Sequence, residues 1–175
     1  MFHSIYAKWT DYQSISNLRL ISLENKDFEY INVKNMKNMR INKVSYRDQL
    51  IQDYSVIIDV RTPSEFIEDH IPNSINYPVL SNKQRHEIGI SYKENSFLAK
   101  KNGAELISYN ISKIIKKIEF DKKEKVLIYC WRGGLRSLSL YLVLKQIGYD
   151  VYLLDGGYKS FRKRVVEYLD KEAPK

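Results

Sequence analysis

Apolar residues recur along this chain in short runs set apart by polar and charged stretches, and the spacing inside each run predicts an element. Ser55 to Val60 and Val126 to Tyr129 are short and dominantly apolar, the pattern of strands covered on both faces. Val151 to Leu154 reads the same way. Leu106 to Ile118 places Ile107, Ile111, Ile114 and Ile118 at intervals of four, three and four, with Lys113, Lys116 and Lys117 beside them. That is a helix with one buried stripe. Ser137 to Ile147 is apolar nearly all round, so the helix it predicts is central. Tyr158 to Leu169 predicts a closing helix with Phe161, Val165 and Leu169 inward. Strands alternating with helices predict an α/β domain over residues 46–175, a parallel sheet with helices on both faces.

Residues 1–45 read differently. Asn17 to Leu23 and Phe28 to Val33 are short apolar-rich runs separated by Glu24-Asn25-Lys26-Asp27, which predicts a hairpin. Asn35 to Lys43 is polar and lysine-rich, consistent with a linker. The extension is either a docking element or a strand pair that covers a sheet edge.

Composition narrows the class. At 175 residues with 43% hydrophobic and 29% charged side chains, the chain suits one soluble domain with a small appendage. No apolar stretch is long enough to cross a bilayer and the first residues lack a secretory apolar segment, so a cytoplasmic protein is expected. The net charge of +8 is uneven: residues 46–80 are net acidic, whereas 81–125 and 126–175 are basic. A basic surface attracts polyanions such as RNA, although most lysines on helix faces merely solvate them. His3, His70 and His86 are scattered without ligand spacing, so no metal is expected.

The single cysteine carries the chemistry. One cysteine forbids an intramolecular disulfide and fits a reducing compartment. Cys130 ends the strand at Val126-Leu127-Ile128-Tyr129 and opens Cys130-Trp131-Arg132-Gly133-Gly134-Leu135-Arg136-Ser137. A strand that turns at once into a helix leaves backbone N–H groups pointing at one spot, where they stabilise an anion. A thiol there is poised to act as a thiolate. A free cysteine more often serves as a small buried apolar residue, but packing needs neither the Gly133-Gly134 pair nor Arg132 and Arg136. Gly133 and Gly134 supply backbone geometry. Arg136, at the end of the loop, is the better anion clamp. Arg132 faces RNA or solvent, and Trp131 either stacks on a base or a prenyl chain or packs beside the loop. Asp59 and Arg61, at the end of the first strand, are expected to form a structural pair near the site.

These residues carry a resemblance. Cys130 to Ser137 resembles the active-site loop of rhodanese-type sulfurtransferases, in which the cysteine holds a persulfide. Ile58-Asp59-Val60-Arg61-Thr62-Pro63-Ser64-Glu65-Phe66 with His70 to Pro78 resembles a second rhodanese signature, and Leu154-Asp155-Gly156-Gly157-Tyr158-Lys159 the closing turn. Five residues separate Cys130 from Arg136, where ordinary single-domain rhodaneses usually have four. That loop, an insert over Leu80 to Lys93 and the Gly-Gly-Tyr-Lys ending are together similar to tRNA 2-selenouridine synthase. Asp69 and Asn73 stand where that family has glycine, and both residue types tolerate left-handed backbone.

The resemblance implies an enzyme that replaces sulfur by selenium in the wobble 2-thiouridine of certain tRNAs. It implies selenophosphate as co-substrate, no bound cofactor, Cys130 as the essential residue, and Trp131, Arg132, Gly133, Gly134, Leu135 and Arg136 as the substrate-binding loop. Family members usually continue into a P-loop domain, yet no Gly-x4-Gly-Lys-[Ser/Thr] occurs here. The expectation is therefore a separate P-loop subunit, with tRNA as shared partner and no membrane. The alternatives are a thiosulfate or persulfide sulfurtransferase, a phosphatase or arsenate reductase using the same Cys-x5-Arg spacing, and a binding subunit with a vestigial cysteine.

Overall fold

The computed structural model describes residues 40–46 and 50–172. The hairpin expected within residues 1–45 lies outside them. Five strands form one parallel sheet: β1 (Lys43–Val44), β2 (Val56–Asp59), β3 (Ile75–Asn76), β4 (Lys125–Tyr129) and β5 (Asp150–Leu154), in the order β1-β5-β4-β2-β3. The three strands read from the sequence occupy the centre, in registers such as Ile58 opposite Ile128 and Ile128 opposite Leu153. The two edge strands have two residues each, too short for any periodicity. β1 begins inside the stretch read as a linker and pairs Val44 with Leu154. Asn42 fixes it, accepting from Leu153 N–H and donating its own N–H to the Tyr141 hydroxyl at 2.9 Å.

Side-chain alternation divides the core into two layers. Val56, Ile58, Val126, Ile128, Val151 and Leu153 face one side. Ile57, Leu127, Tyr129 and Leu154 face the other. On the first side lie α3 (Ser96–Ile115), through Ile111 and Ile114, and α4 (Leu135–Ile147), through Leu140, Tyr141 and Leu144. On the second lies α5 (Gly157–Glu172), through Tyr158 and Phe161. Helices thus cover both faces.

Two short-range signals set the remaining helices. α1 (Pro63–Glu68) starts in a capping box, with Thr62 Oγ1 accepting from Glu65 N–H while the Glu65 carboxylate accepts from Thr62 N–H. α2 (Asn82–Glu94) starts in another, formed by Ser81 and Gln84. α2 fills the insert and meets α3 across Asn95, which ends one helix and caps the next through Leu98 N–H.

Two expectations need correction. The helix read as Leu106 to Ile118 begins ten residues earlier, at Ser96, because its first half packs on α2 rather than on the sheet. Leu169 is exposed rather than inward. A 16-residue helix is about 24 Å long, whereas a five-residue strand spans about 17 Å. The last turns of α5 therefore overrun the sheet. Of the two glycine replacements, Asn73 adopts a left-handed φ of 63°, whereas Asp69, at φ −170°, is ordinary extended backbone.

Candidate active site

Cys130 leaves the C-terminal end of β4, where parallel sheets gather their sites. Two donors reach its sulfur: the backbone N–H of Gly134 at 3.2 Å and the hydroxyl of Ser137 at 3.2 Å. Gly134 is the N-cap of α4, so the helix N-terminus points at Sγ. Ser137 is fully buried and also lies 3.1 Å from Gly134 O. The sulfur thus lies within hydrogen-bond reach of one backbone and one side-chain donor, and the Ser137 hydroxyl can donate either to it or to Gly134 O.

The loop is clamped from outside by the closing turn. Cys130 O accepts from Tyr158 N–H at 2.9 Å and Trp131 O from Lys159 N–H at 3.0 Å. Such close approach requires Gly157, at φ 58°: a Cβ there would collide with Cys130 O and sit 2.9 Å from Arg132 N. Gly133, at φ 67°, is needed for the same reason, facing Leu154 O and Gly156 N. Gly134 is different. Its φ of −92° is open to any residue and nothing lies within 4 Å of where its Cβ would be. A side chain could therefore be added at this position without collision, so what Gly134 contributes to the loop is its backbone N–H on the sulfur.

Beneath the loop lies a buried ion pair. Arg61 and Asp59 are 1% and 0% exposed, joined by Nη2 to Oδ2 at 2.7 Å and by Nε to the same carboxylate. Burial disfavours the guanidinium charge, yet the Asp59 contact outweighs it and holds Arg61 above its ordinary value. Arg61 also donates to Asp69 O at 2.6 Å and lies 4.0 Å from the ring centre of Tyr158. Asp59 and Arg61 therefore act at one remove, bracing Tyr158, whose N–H holds Cys130 O.

Arg136 meets a carboxylate that sequence reading left unassigned. Its guanidinium contacts Glu65, Nη1 to Oε2 at 2.8 Å and Nη2 to Oε1 at 3.4 Å. Burial pushes Glu65 up, but Arg136 and the Thr62 N–H more than offset this and hold it below its ordinary value. The Thr-Pro-Ser-Glu capping box was the available signal, for it fixes Glu65 at the start of α1. Arg132 and Leu135 are exposed on the loop, and Trp131 is half-buried, packed on Tyr158 at 5.6 Å between ring centres. A cleft of about 540 Å³ opens beside Glu65, bounded by Thr62 on one side and by Asn82, Arg85, Gly89 and Lys93 on the other. The insert helix thus forms a wall next to the loop's arginine.

Comparison with known proteins fits this geometry. Residues 44–164 match the rhodanese-like domain family. The chain belongs to that family. Within the rhodanese-like proteins it resembles tRNA 2-selenouridine synthase from Shewanella pealeana, 35% identical over 144 residues, 77% of this chain and 39% of that one. The synthase from Nitrosomonas eutropha is 36% identical over 119 residues, 66% of this chain and 31% of that one. The chain therefore spans about two fifths of the length of such relatives. A crystal structure described as the N-terminal domain of a proposed ATP/GTP-binding protein from Clostridium difficile 630 is 35% identical. It superposes with a TM-score of 0.62 over 73% of this chain and 99% of that one.

Proposed function

We propose that this protein is the chalcogen-transferring subunit of a tRNA-modifying enzyme, which replaces sulfur by selenium in wobble 2-thiouridine. Cys130 is its nucleophile, selenophosphate its co-substrate, and a separate P-loop subunit its partner. One observation carries the reading. A cysteine cradled by Gly134 N–H and Ser137 Oγ occurs in a chain 35% identical to a tRNA 2-selenouridine synthase along most of its length. The greater length of those relatives, and the solved neighbour described as the N-terminal domain of a proposed ATP/GTP-binding protein, support a nucleotide-binding unit working beside this domain.

The exchange at the base is redox-neutral: a C–Se bond forms and the C–S bond breaks with sulfur departing at the sulfide level, while water cleaves the P–Se bond of selenophosphate and its phosphorus departs as phosphate. Cys130 is the nucleophile at the base carbon, bonding to it as sulfide leaves and displaced in turn by selenide, which regenerates the thiolate. Arg136, with two of its five N–H groups on Glu65, offers others to the donor's phosphate. A sulfane donor fits the same cradle. With thiosulfate, an S–S bond to Cys130 forms while the donor's own S–S bond breaks and its electron pair leaves on sulfite.

The test is mass spectrometry of digested tRNA after incubation of the chain, selenophosphate and the P-loop partner. Cys130→Ser should abolish 2-selenouridine while leaving the fold intact. Arg136→Ala should weaken donor binding by about 2 kcal/mol, and Arg132→Ala far less. Sulfur transfer from thiosulfate to cyanide with no change in the tRNA would establish the sulfurtransferase reading instead.

A further inference from the structure

On α5, Lys159, Arg162, Lys163 and Val166 recur at helical spacing, which puts them on one face. It is not the face that carries Phe161 into the core. Trp131 stands at the head of this stripe, because Lys159 N–H donates to Trp131 O. Together they line a groove of about 400 Å³. Its floor is apolar, formed by Trp131 and by Val166, which is 48% exposed. Its rim is cationic. Lys163 has a weak i,i+4 contact with Glu167 at 3.6 Å, and Glu167 is the single carboxylate of the groove. Lys159 and Arg162 are exposed and have no described ion pair.

We propose that this groove binds single-stranded RNA, with one base lying on Trp131 and the flanking phosphates on Lys159 and Arg162. An aromatic platform beside unpaired cations is how sequence-tolerant single-strand sites are built: any base offers a π-face, and its backbone supplies the charge. An acidic protein segment would satisfy the cations but leave the indole unused. The indole is also fixed in place, packed on Tyr158, which is itself held over Arg61. Trp131 directly follows Cys130, so the stacked base belongs to a nucleotide close to the one that reacts. The proposal rests on the tRNA reading above only for which RNA is bound.

The experiment uses the full chain, a fluorescein-labelled single-stranded heptaribonucleotide and no chalcogen donor. Anisotropy titrations across a range of salt should show Lys159→Ala and Arg162→Ala each lowering the salt slope by about 0.7. Trp131→Ala should lose on the order of tenfold in affinity, and Trp131→Phe much less. In a Trp9→Phe background the emission of Trp131 should be quenched on binding. Circular dichroism checks folding; if Trp131→Ala does not fold, the exposed charge reversal Arg162→Glu decides, with loss of binding expected. Variants that bind like the wild type overturn the proposal. So does an oligoglutamate peptide that displaces the RNA at equal charge concentration, which would make the groove a site for acidic protein. Selenium handling by wild-type Cys130 is measured separately without RNA; its failure refutes the chalcogen reading and leaves the groove standing on its own titrations.

Discussion

Residues 130–137 lead from β4 into α4, residues 82–103 form α2 and the start of α3, and the two segments are held by opposite means. The first segment is fixed by backbone. Cys130 O and Trp131 O accept from the closing turn, Gly134 N–H caps the sulfur, and glycines stand where a Cβ would strike main chain. The second is fixed by side chains at a few points. α2 buries no residue, and its hold on α3 includes Ile88 lying on Gly103 and Asn110 Nδ2 reaching Val79 O and Gln84 Oε1. Backbone contacts define positions to a fraction of an ångström, which a nucleophile needs. Side-chain contacts of this kind tolerate repacking, which suits a wall that shapes access to a site.

Gly157→Ala should break the first region most severely. The new methyl would meet Cys130 O and Gly133 N, both main chain and unable to swing aside, at a φ of 58° that side chains disfavour. A loss of at least about 2 kcal/mol is expected in urea unfolding, together with a changed rate of iodoacetamide labelling at Cys130. Retention of wild-type stability would show that the loop yields as readily as the insert.

The same contrast explains what could be read in advance. Short apolar runs point to the three central strands, and the glycine-arginine loop to Cys130, because both are written in consecutive residues. Glu65 was missed because its importance lies in a partner 71 residues away. Ser137 stands in the loop motif, but its role depends on a buried hydroxyl aimed at sulfur, which no residue pattern records. α2 left no apolar stripe to read, because its inward positions Gln84, Ile88 and Ser91 are only half-buried and two of the three are polar. The roles of Gly133 and Gly134 diverged because positive φ is a property of the folded loop, not of the letter.

Glu65→Gln should have a smaller effect, and one that depends on pH. Glu65 is held below its ordinary value in the fold, so its stabilisation is present above the unfolded carboxyl value and is lost as pH falls through the folded one. The side chain is 28% exposed, so the contact is worth about 1 kcal/mol. Wild type and Glu65→Gln should therefore differ in urea midpoint near neutral pH and converge in acid. Equal midpoints at neutral pH would mean that the Arg136–Glu65 pair adds nothing beyond the loop's own backbone.

Gly103→Ala completes the comparison from the insert side. Gly103 is buried inside α3 and faces Ile88, whose nearest side-chain atom would lie 3.6 Å from an added Cβ, an ordinary contact with a side chain. No positive φ holds this position for glycine. Helix propensity favours alanine over glycine by about 1 kcal/mol, so the substitution should leave the protein unchanged or slightly more stable, with Tm equal or higher by calorimetry. The same chemical change, one methyl on a buried glycine, thus has opposite expected signs at residues 103 and 157. A marked loss at residue 103 would show the α2–α3 contact to be as tightly specified as the Cys130 loop, and would remove the distinction between a fixed loop and an adaptable wall.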